Sequence, residues 1–169
     1  MIKRSRNTIE ETTENMINDI SLVQELNKFK ALANNIPQLA WVTDENGYIY
    51  WYNRRWYDYT GTTLEDMKGW GWTKVHHPDH VERVVGHLKK CIENGTDWQD
   101  TFPLLGKDGQ YRSFLSRASV IRDENNKIIG WFGTNTDITE EEEFKKKLQD
   151  SEKMFRDTAD TINHMIWIT

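Results

Sequence analysis

A single cysteine, Cys91, leaves nothing for a disulfide to form with inside the chain, and this usage fits a reducing, cytoplasmic setting. Positive charge is scarce too. There are 22 lysines and arginines against 27 aspartates and glutamates, a net charge of -5, so no global basic field draws in nucleic acid. No apolar run approaches the roughly 20 residues that span a bilayer, and no membrane contact is expected of this segment. The opening stretch, MIKRSRNTIEETTEN, has basic residues with no apolar core after them and is not expected to act as a signal peptide. A glycine-rich phosphate loop, a nucleophile motif and a convincing set of metal ligands are missing as well. Catalysis is therefore not expected within these residues.

Large rings are abundant instead, with 8 tryptophans and 6 tyrosines in 169 residues. That density points to a core with a polar-lined cavity, a docking surface, or both. The length suits one compact domain with additional helical segments. Fifteen residues also occur twice. FKALANNIPQLAWVT begins at Phe29 and FRDTADTINHMIWIT begins at Phe155, an offset of 126 residues. The phenylalanine, one alanine (Ala33 and Ala159), the isoleucine, the tryptophan and the final threonine coincide. The simplest reading is a tandem array of one small domain plus a connecting helix, with a second unit starting at Phe155.

Capping-box spacing at Thr8 and Glu11 predicts a helix start. Ile9, Met16, Val23 and Lys30, with Ile20 and Leu26 between them, give that helix a narrow apolar stripe ending near Asn34 and Asn35. Two strands, LAWVT and YIYWYN, follow around an Asp44–Gly47 turn. Short helices fit Arg54–Tyr59 and Leu64–Lys68, the second with a box at Thr62 and Glu65. A longer helix starts at His77-Pro78 and stops at Asn94-Gly95. Three strands then run through WQDTFPLL, QYRSFLSRASVI and KIIGWFGTNTDI. Pro103 places the first of these at an edge or a bulge. The order predicts an α+β fold, one antiparallel sheet with helices crossing one face. A last helix opens with a box at Thr139 and Glu142 and four glutamates at its positive end. Phe144, Leu148, Ser151 and Phe155 give it a short seam, and Glu–Lys pairs stiffen it as a connector.

NIPQLAWVTDENGYIYWYN, NRRWYDYTG, GWGWTKVHHPDH and KDGQYRSFLSRASVIRDENNKIIGWFGTNTDIT, in that order, resemble a PAS domain of the tryptophan-rich sensory-box type found in bacterial sensor kinases. Asp137-Ile138-Thr139 is similar to the Asp-x-Thr triplet that ends the family's C-terminal (PAC) motif. The resemblance implies a five-stranded antiparallel sheet of order 2-1-5-4-3 with short helices on one face and a cavity between them. It divides the chain into an N-terminal amphipathic helix at 1–28, a PAS domain at 29–139, a signalling linker helix at 140–154 and the start of a second PAS domain at 155–169. It also implies a candidate ligand pocket of Trp56, Tyr59, Trp72, Leu115, Arg117, Gly133 and Asn135. Packing with indole N–H groups bonded to carbonyls is the alternative account of the rings. Gly133 would let backbone approach a ligand, and Arg117 could pair with a carboxylate or a surface acid.

Other chemistry-bearing residues read more plainly. His76, His77, Asp79 and His80 are ligand types, but His77 stands where a helix cap is wanted, and a metal is not expected. His87 falls at the rim of an apolar face, so haem is not expected. Cys91 lacks the Asn-Cys-Arg motif of light-sensing relatives and fits a small core residue, so flavin is not expected; the cofactor is left open. Asn53 is placed to cap a helix. Asp137 and Thr139 are the candidate coupling residues, fixing how the last helix leaves the sheet. The leading function is a sensory input module of a larger multidomain protein, most simply a two-component sensor histidine kinase. It would be a homodimer through its helices, passing a signal to downstream domains of the same polypeptide. The alternatives are a ligand-free dimerisation scaffold and the input domain of a diguanylate cyclase or other output.

Overall fold

The computed structural model describes residues 2–166, and side chains over residues 19–162. Helix α1 (Ile2–Asn35) begins ahead of the predicted start at Thr8, because nothing in residues 3–7 breaks a helix. The side chains of Thr8, Ile9, Glu11 and Met16 lie outside the described residues, as do Trp167, Ile168 and Thr169. Strands β1 (Leu39–Thr43) and β2 (Ile49–Tyr52) form a hairpin. Asp44 closes it, its carboxylate accepting from the N–H groups of Asn46 and Tyr48 at 2.9 and 2.8 Å.

Asn53 starts α2 (Arg54–Thr60) and does more than cap it. Its side-chain oxygen accepts from the N–H of Ala40 (3.0 Å) and Trp56 (3.3 Å). Its amide nitrogen donates to the carbonyls of Ala33 and Gln38, both at 3.0 Å. One fully buried amide thus ties the end of α1, the first strand and α2 together. Helix α3 (Leu64–Met67) is capped by Thr63 and Asp66, one residue later than the predicted box. The Thr62 hydroxyl is already engaged with that of Thr60, at 2.7 Å. A 3₁₀ turn (Gly71–Val75) leads to α4 (Pro78–Asn94). His77 caps α4 by accepting from the Asp79 N–H, and Gly95 ends it with φ of 60°.

Strands β3 (Trp98–Leu105), β4 (Tyr111–Arg122) and β5 (Ile128–Asp137) complete the antiparallel sheet, in the order β2-β1-β5-β4-β3. Pro103 sits on the edge strand, where its missing N–H breaks no ladder; its carbonyl accepts from the His77 N–H. The short helices and α4 cover one face. Period-two alternation sends Phe114, Ser116 and Ala118 of β4 inward, and Trp131, Gly133 and Asn135 of β5 with them. Trp41, Tyr52, Trp56, Trp98 and Phe102 form the centre of the core. Cys91 belongs to this core and is buried.

Helix α5 (Thr139–Ile166) is continuous across Phe155. Its Met165 and Ile166 are helical where the first copy, at Leu39 and Ala40, forms strand. A strand at that point has no partner strand among the described residues, and an unpaired strand is not stable in water. The seam residues Phe144, Leu148 and Phe155 are exposed, as are Ile20, Val23 and Leu26 on α1.

Candidate functional site: an aromatic cavity and the exit into the last helix

Between the sheet and the short helices lies a cavity of about 20 Å³, room for one water. Trp41, Trp56, Trp72, His76, Trp98 and Asn135 are among its walls. Its polar corner is satisfied. The Asn135 side-chain oxygen accepts from the Trp41 indole N–H (3.1 Å) and from the Ser116 hydroxyl (2.5 Å).

Four other lining residues carry unmatched polar atoms. The indole nitrogens of Trp56, Trp72 and Trp98 and Nε2 of His76 are buried without a hydrogen-bond partner in the protein. All four residues line this cavity. A buried donor or acceptor left unmatched costs about 1–3 kcal/mol, so four around one small space set it apart from the rest of the core. His76 Nδ1 lies 3.1 Å from the Trp72 carbonyl oxygen. A carbonyl can only accept, so Nδ1 carries the proton and Nε2 is a bare lone pair. Burial lowers the His76 pKa to about 4 and keeps the ring neutral. Its ring packs between Trp72 and Phe102, at centroid distances of 4.7 and 4.4 Å.

A charged clamp holds α4 against β3 beside the cavity. Arg83 grips both oxygens of Asp100 at 2.7 and 2.8 Å, and His87 meets the same carboxylate at 3.0 Å. Burial pushes the Asp100 carboxyl up, but hydrogen bonds from Arg83, His87 and the Thr101 N–H outweigh it and hold it below its ordinary value. His87 is thus committed to an acid.

The exit from the sheet is equally specific. Asp137 lies two residues beyond Asn135, so both side chains leave the same face of β5. Asp137 Oδ1 accepts from the N–H and the hydroxyl of Thr139, at 3.0 and 2.6 Å. The Thr139 oxygen in turn accepts from the Ser113 N–H of β4 at 3.0 Å, and the Ile138 N–H donates to the Ser113 carbonyl at 2.9 Å. Thr139 is therefore the first helical residue and a bridge, rather than the cap of a box with Glu142. Asp137 supplies the negative charge that the helix N-terminus favours.

Of the residues predicted to face a ligand, Trp56, Trp72 and Asn135 line the cavity. Tyr59 stands outside it, in an open groove beside Phe114, with its hydroxyl on the Leu104 carbonyl at 2.8 Å. Leu115 and Arg117 fall on the other face of β4, where Arg117 donates to Gln99 at 2.9 Å. Gly133 faces inward, but the Trp41 indole takes its space: a Cβ there would lie 2.2 Å from the ring. His76, Trp41, Trp98 and Ser116 are cavity residues that reading the sequence missed. Ser116 carried a signal, a small polar residue on the inward parity between Phe114 and Ala118. His76 carried none: nothing in the run His76-His77-Pro78-Asp79-His80 marks its first histidine as the buried one. Among the described residues no group of three His, Cys, Asp or Glu is arranged to hold a metal, and no helix is long and apolar enough to cross a membrane.

Comparison with known proteins agrees with this architecture. Over 159 residues, 94% of this chain and 19% of the relative, it is 31% identical to the uncharacterised protein y4lL of Sinorhizobium fredii. It is 26% identical to the peroxide stress-activated histidine kinase mak1 of Schizosaccharomyces pombe over 121 residues, 71% of this chain and 7% of the kinase. The chain thus spans a fifth or less of the curated relatives it matches. The crystal structure of a PAS domain from Colwellia psychrerythraea superposes with a TM-score of 0.55 at 26% identity, covering 68% of this chain and 98% of that one. The family model described as PAS fold matches residues 48–135, from the start of β2 to the cavity residue Asn135. With the 2-1-5-4-3 sheet and the helices over one face, that match makes this chain a member of the PAS fold family.

Proposed function

We propose that the chain is the sensory input module of a larger signalling protein, most simply a sensor histidine kinase, and that events in the aromatic cavity reach the output through α5. The observation that carries this is the short covalent path from cavity to helix. Asn135 lines the cavity, Asp137 follows it on the same strand face, and Asp137, Thr139 and Ser113 lock the start of α5 to two strands. A shift of β5 or β4 then changes the exit angle of a rigid 28-residue helix rather than dissipating in a loop. In this reading the chain is of the tryptophan-rich type, residues 1–28 and 140–154 are helical linkers and Phe155 opens a second unit. The exposed stripe of α1 pairs two copies in parallel, and the protein works in the cytoplasm.

Replacing Asp137 with alanine tests the coupling in the intact signalling protein. The unfolding midpoint of the variant is expected to stay close to the parent's, while kinase activity loses its response to the stimulus. An Asp137→Ala protein with a normal stimulus response overturns the proposal. The small volume of the cavity favours one competing reading, a dimerisation scaffold with nothing inside. Native mass spectrometry separates the two: a retained small molecule supports sensing, and consistent emptiness supports the scaffold.

A further inference from the structure

Four residues that line one cavity each carry a buried polar atom without a partner, and together these atoms define what would satisfy them. Three are donors, the indole N–H groups of Trp56, Trp72 and Trp98; one is an acceptor, His76 Nε2. The occupant must offer at least three lone pairs and one hydrogen. Water offers two lone pairs and leaves one indole unmatched. An alcohol does no better, and a primary amide brings two lone pairs and one hydrogen too many. A carboxylic acid is the smallest common group that balances: two lone pairs on the carbonyl oxygen, more on the hydroxyl oxygen, and one O–H for His76. No lysine or arginine lines the cavity, so a bare anion entering alone would be an unpaired buried charge.

We infer that the cavity is the site for the head group of a small monocarboxylic acid, bound to Trp56, Trp72 and Trp98 and sharing one proton with His76. This rests on the sensory reading above and names its ligand class. The proton lies on the acid or on Nε2; either way the complex holds one proton, and the charge inside the cavity sums to zero. The cavity has room for only about one water, so the acid enters by moving the wall that carries Trp72 and His76. That wall is short. It is fastened to the sheet by an isolated bridge between His76 and Leu104 and by the His77 N–H on the Pro103 carbonyl. Binding thereby exchanges four unmatched atoms for a displaced 3₁₀ turn, which is the mechanical event the cavity would report.

Proton sharing gives a signature that packing alone does not. Above the pKa of the acid the free ligand is an anion and the free His76 is neutral, so binding takes up one proton. The apparent Kd then rises about tenfold per pH unit. The other groups facing His76 are Asp100 on β3, held by Arg83 and His87 of α4, and His80 of α4. The strands β4 and β5 present only Ser116 and Asn135 to the cavity.

The test follows the indole N–H signals of the 169-residue chain by ¹H–¹⁵N spectroscopy during titration with acetate, propionate and butyrate. Acetamide and propionamide serve as matched neutral controls. The Trp56, Trp72 and Trp98 signals are expected to move saturably with the acids and not with the amides. The Kd should rise about tenfold between pH 6 and 7, in the parent and in a His80→Gln/His87→Gln background. Trp72→Phe, which keeps a ring and removes one donor, should weaken binding about tenfold, and so should His76→Phe, which removes the acceptor for the acid's O–H. Amides binding as well as acids, or a Kd indifferent to pH, overturn the acid while leaving a sensing cavity in place. If none of these acids and no member of a neutral fragment set moves any of the three signals, the acid and the sensing cavity both fall.

Discussion

Gly133 shows how one position can be chosen by a neighbour's ring. Its β5 site pairs with Trp41 across the sheet, and a Cβ there would stand 2.2 and 2.3 Å from indole atoms. The ring cannot retreat freely, because its N–H is held by Asn135. Gly133→Ala is expected to destabilise the domain by about 1–3 kcal/mol, the usual range for overpacking, and to shift the tryptophan fluorescence. Urea denaturation of the two proteins checks this, and an unchanged midpoint would show that the indole can move. Asn53 was legible as a helix cap from its place before Arg54. Its bonds to Ala33 and Gln38 were not, because those carbonyls come near only after α1 and β1 have packed.

The elements themselves were largely readable, and their faces less so. Turn residues, Asn53, His77-Pro78 and Gly95 marked element ends and Pro103 the edge strand, whereas the capping-box spacings at Thr8, Thr62 and Thr139 missed the observed starts. Leu115 and Arg117 lie on the outward parity of β4: one residue of register reverses a strand, and both of its faces contain polar and apolar residues, so composition does not mark the inward one. The 3₁₀ turn that buries His76 has no period long enough to show in sequence. The junction of β5 with α5 was readable as Asp-x-Thr, but the Ser113 contact lies across the sheet. Thr139→Val keeps the shape of residue 139 and removes the oxygen that bridges Asp137 and Ser113. It is expected to raise hydrogen exchange of the first α5 amides by up to about tenfold, about 1.4 kcal/mol, with core strands unaffected. Exchange at the parent rate would show that the bridge does not hold the helix.

For the molecule as a whole, acid should be the weak direction. His76 has a folded pKa near 4 against an unfolded value of 6.5. A depressed value means the unfolded chain binds the extra proton first. Stability from the neutral, buried ring is therefore complete above 6.5 and is lost as pH falls toward 4, by about 3 kcal/mol over that window. Asp100 adds to the loss at lower pH: its carboxyl is also held below its ordinary value of 3.8, so the clamp to Arg83 and His87 weakens as that acid protonates. Urea midpoints between pH 7 and 4 should fall steeply in the parent and much less in His76→Phe; parallel curves would show that His76 does not drive the slope. Assembly is the second property at this level. Ile20, Val23 and Leu26 are 57%, 55% and 49% exposed on α1, and the proposed parallel dimer would cover them. Sedimentation should show a dimer for the parent and a shift toward monomer for Val23→Glu/Leu26→Glu. A parent that stays monomeric at high concentration removes the dimer from the proposal.

The amino-acid sequence by itself determined the order and type of the elements, the edge position of β3, the caps at Asn53, His77 and Gly95 and the Asp-x-Thr exit. These depend on short-range causes: backbone conformations that glycine and proline set, side chains that reach backbone two or three residues away, and periodicities of 2 and 3.6. Only the tertiary structure decided which rings surround the cavity, that Trp41 fills the space Gly133 leaves, and that three indole nitrogens and His76 Nε2, on residues lining one cavity, are buried without partners. Those facts join residues up to 94 positions apart, such as Trp41 and Asn135. A polar atom becomes unmatched only when packing has removed the water around it, and no local pattern records that.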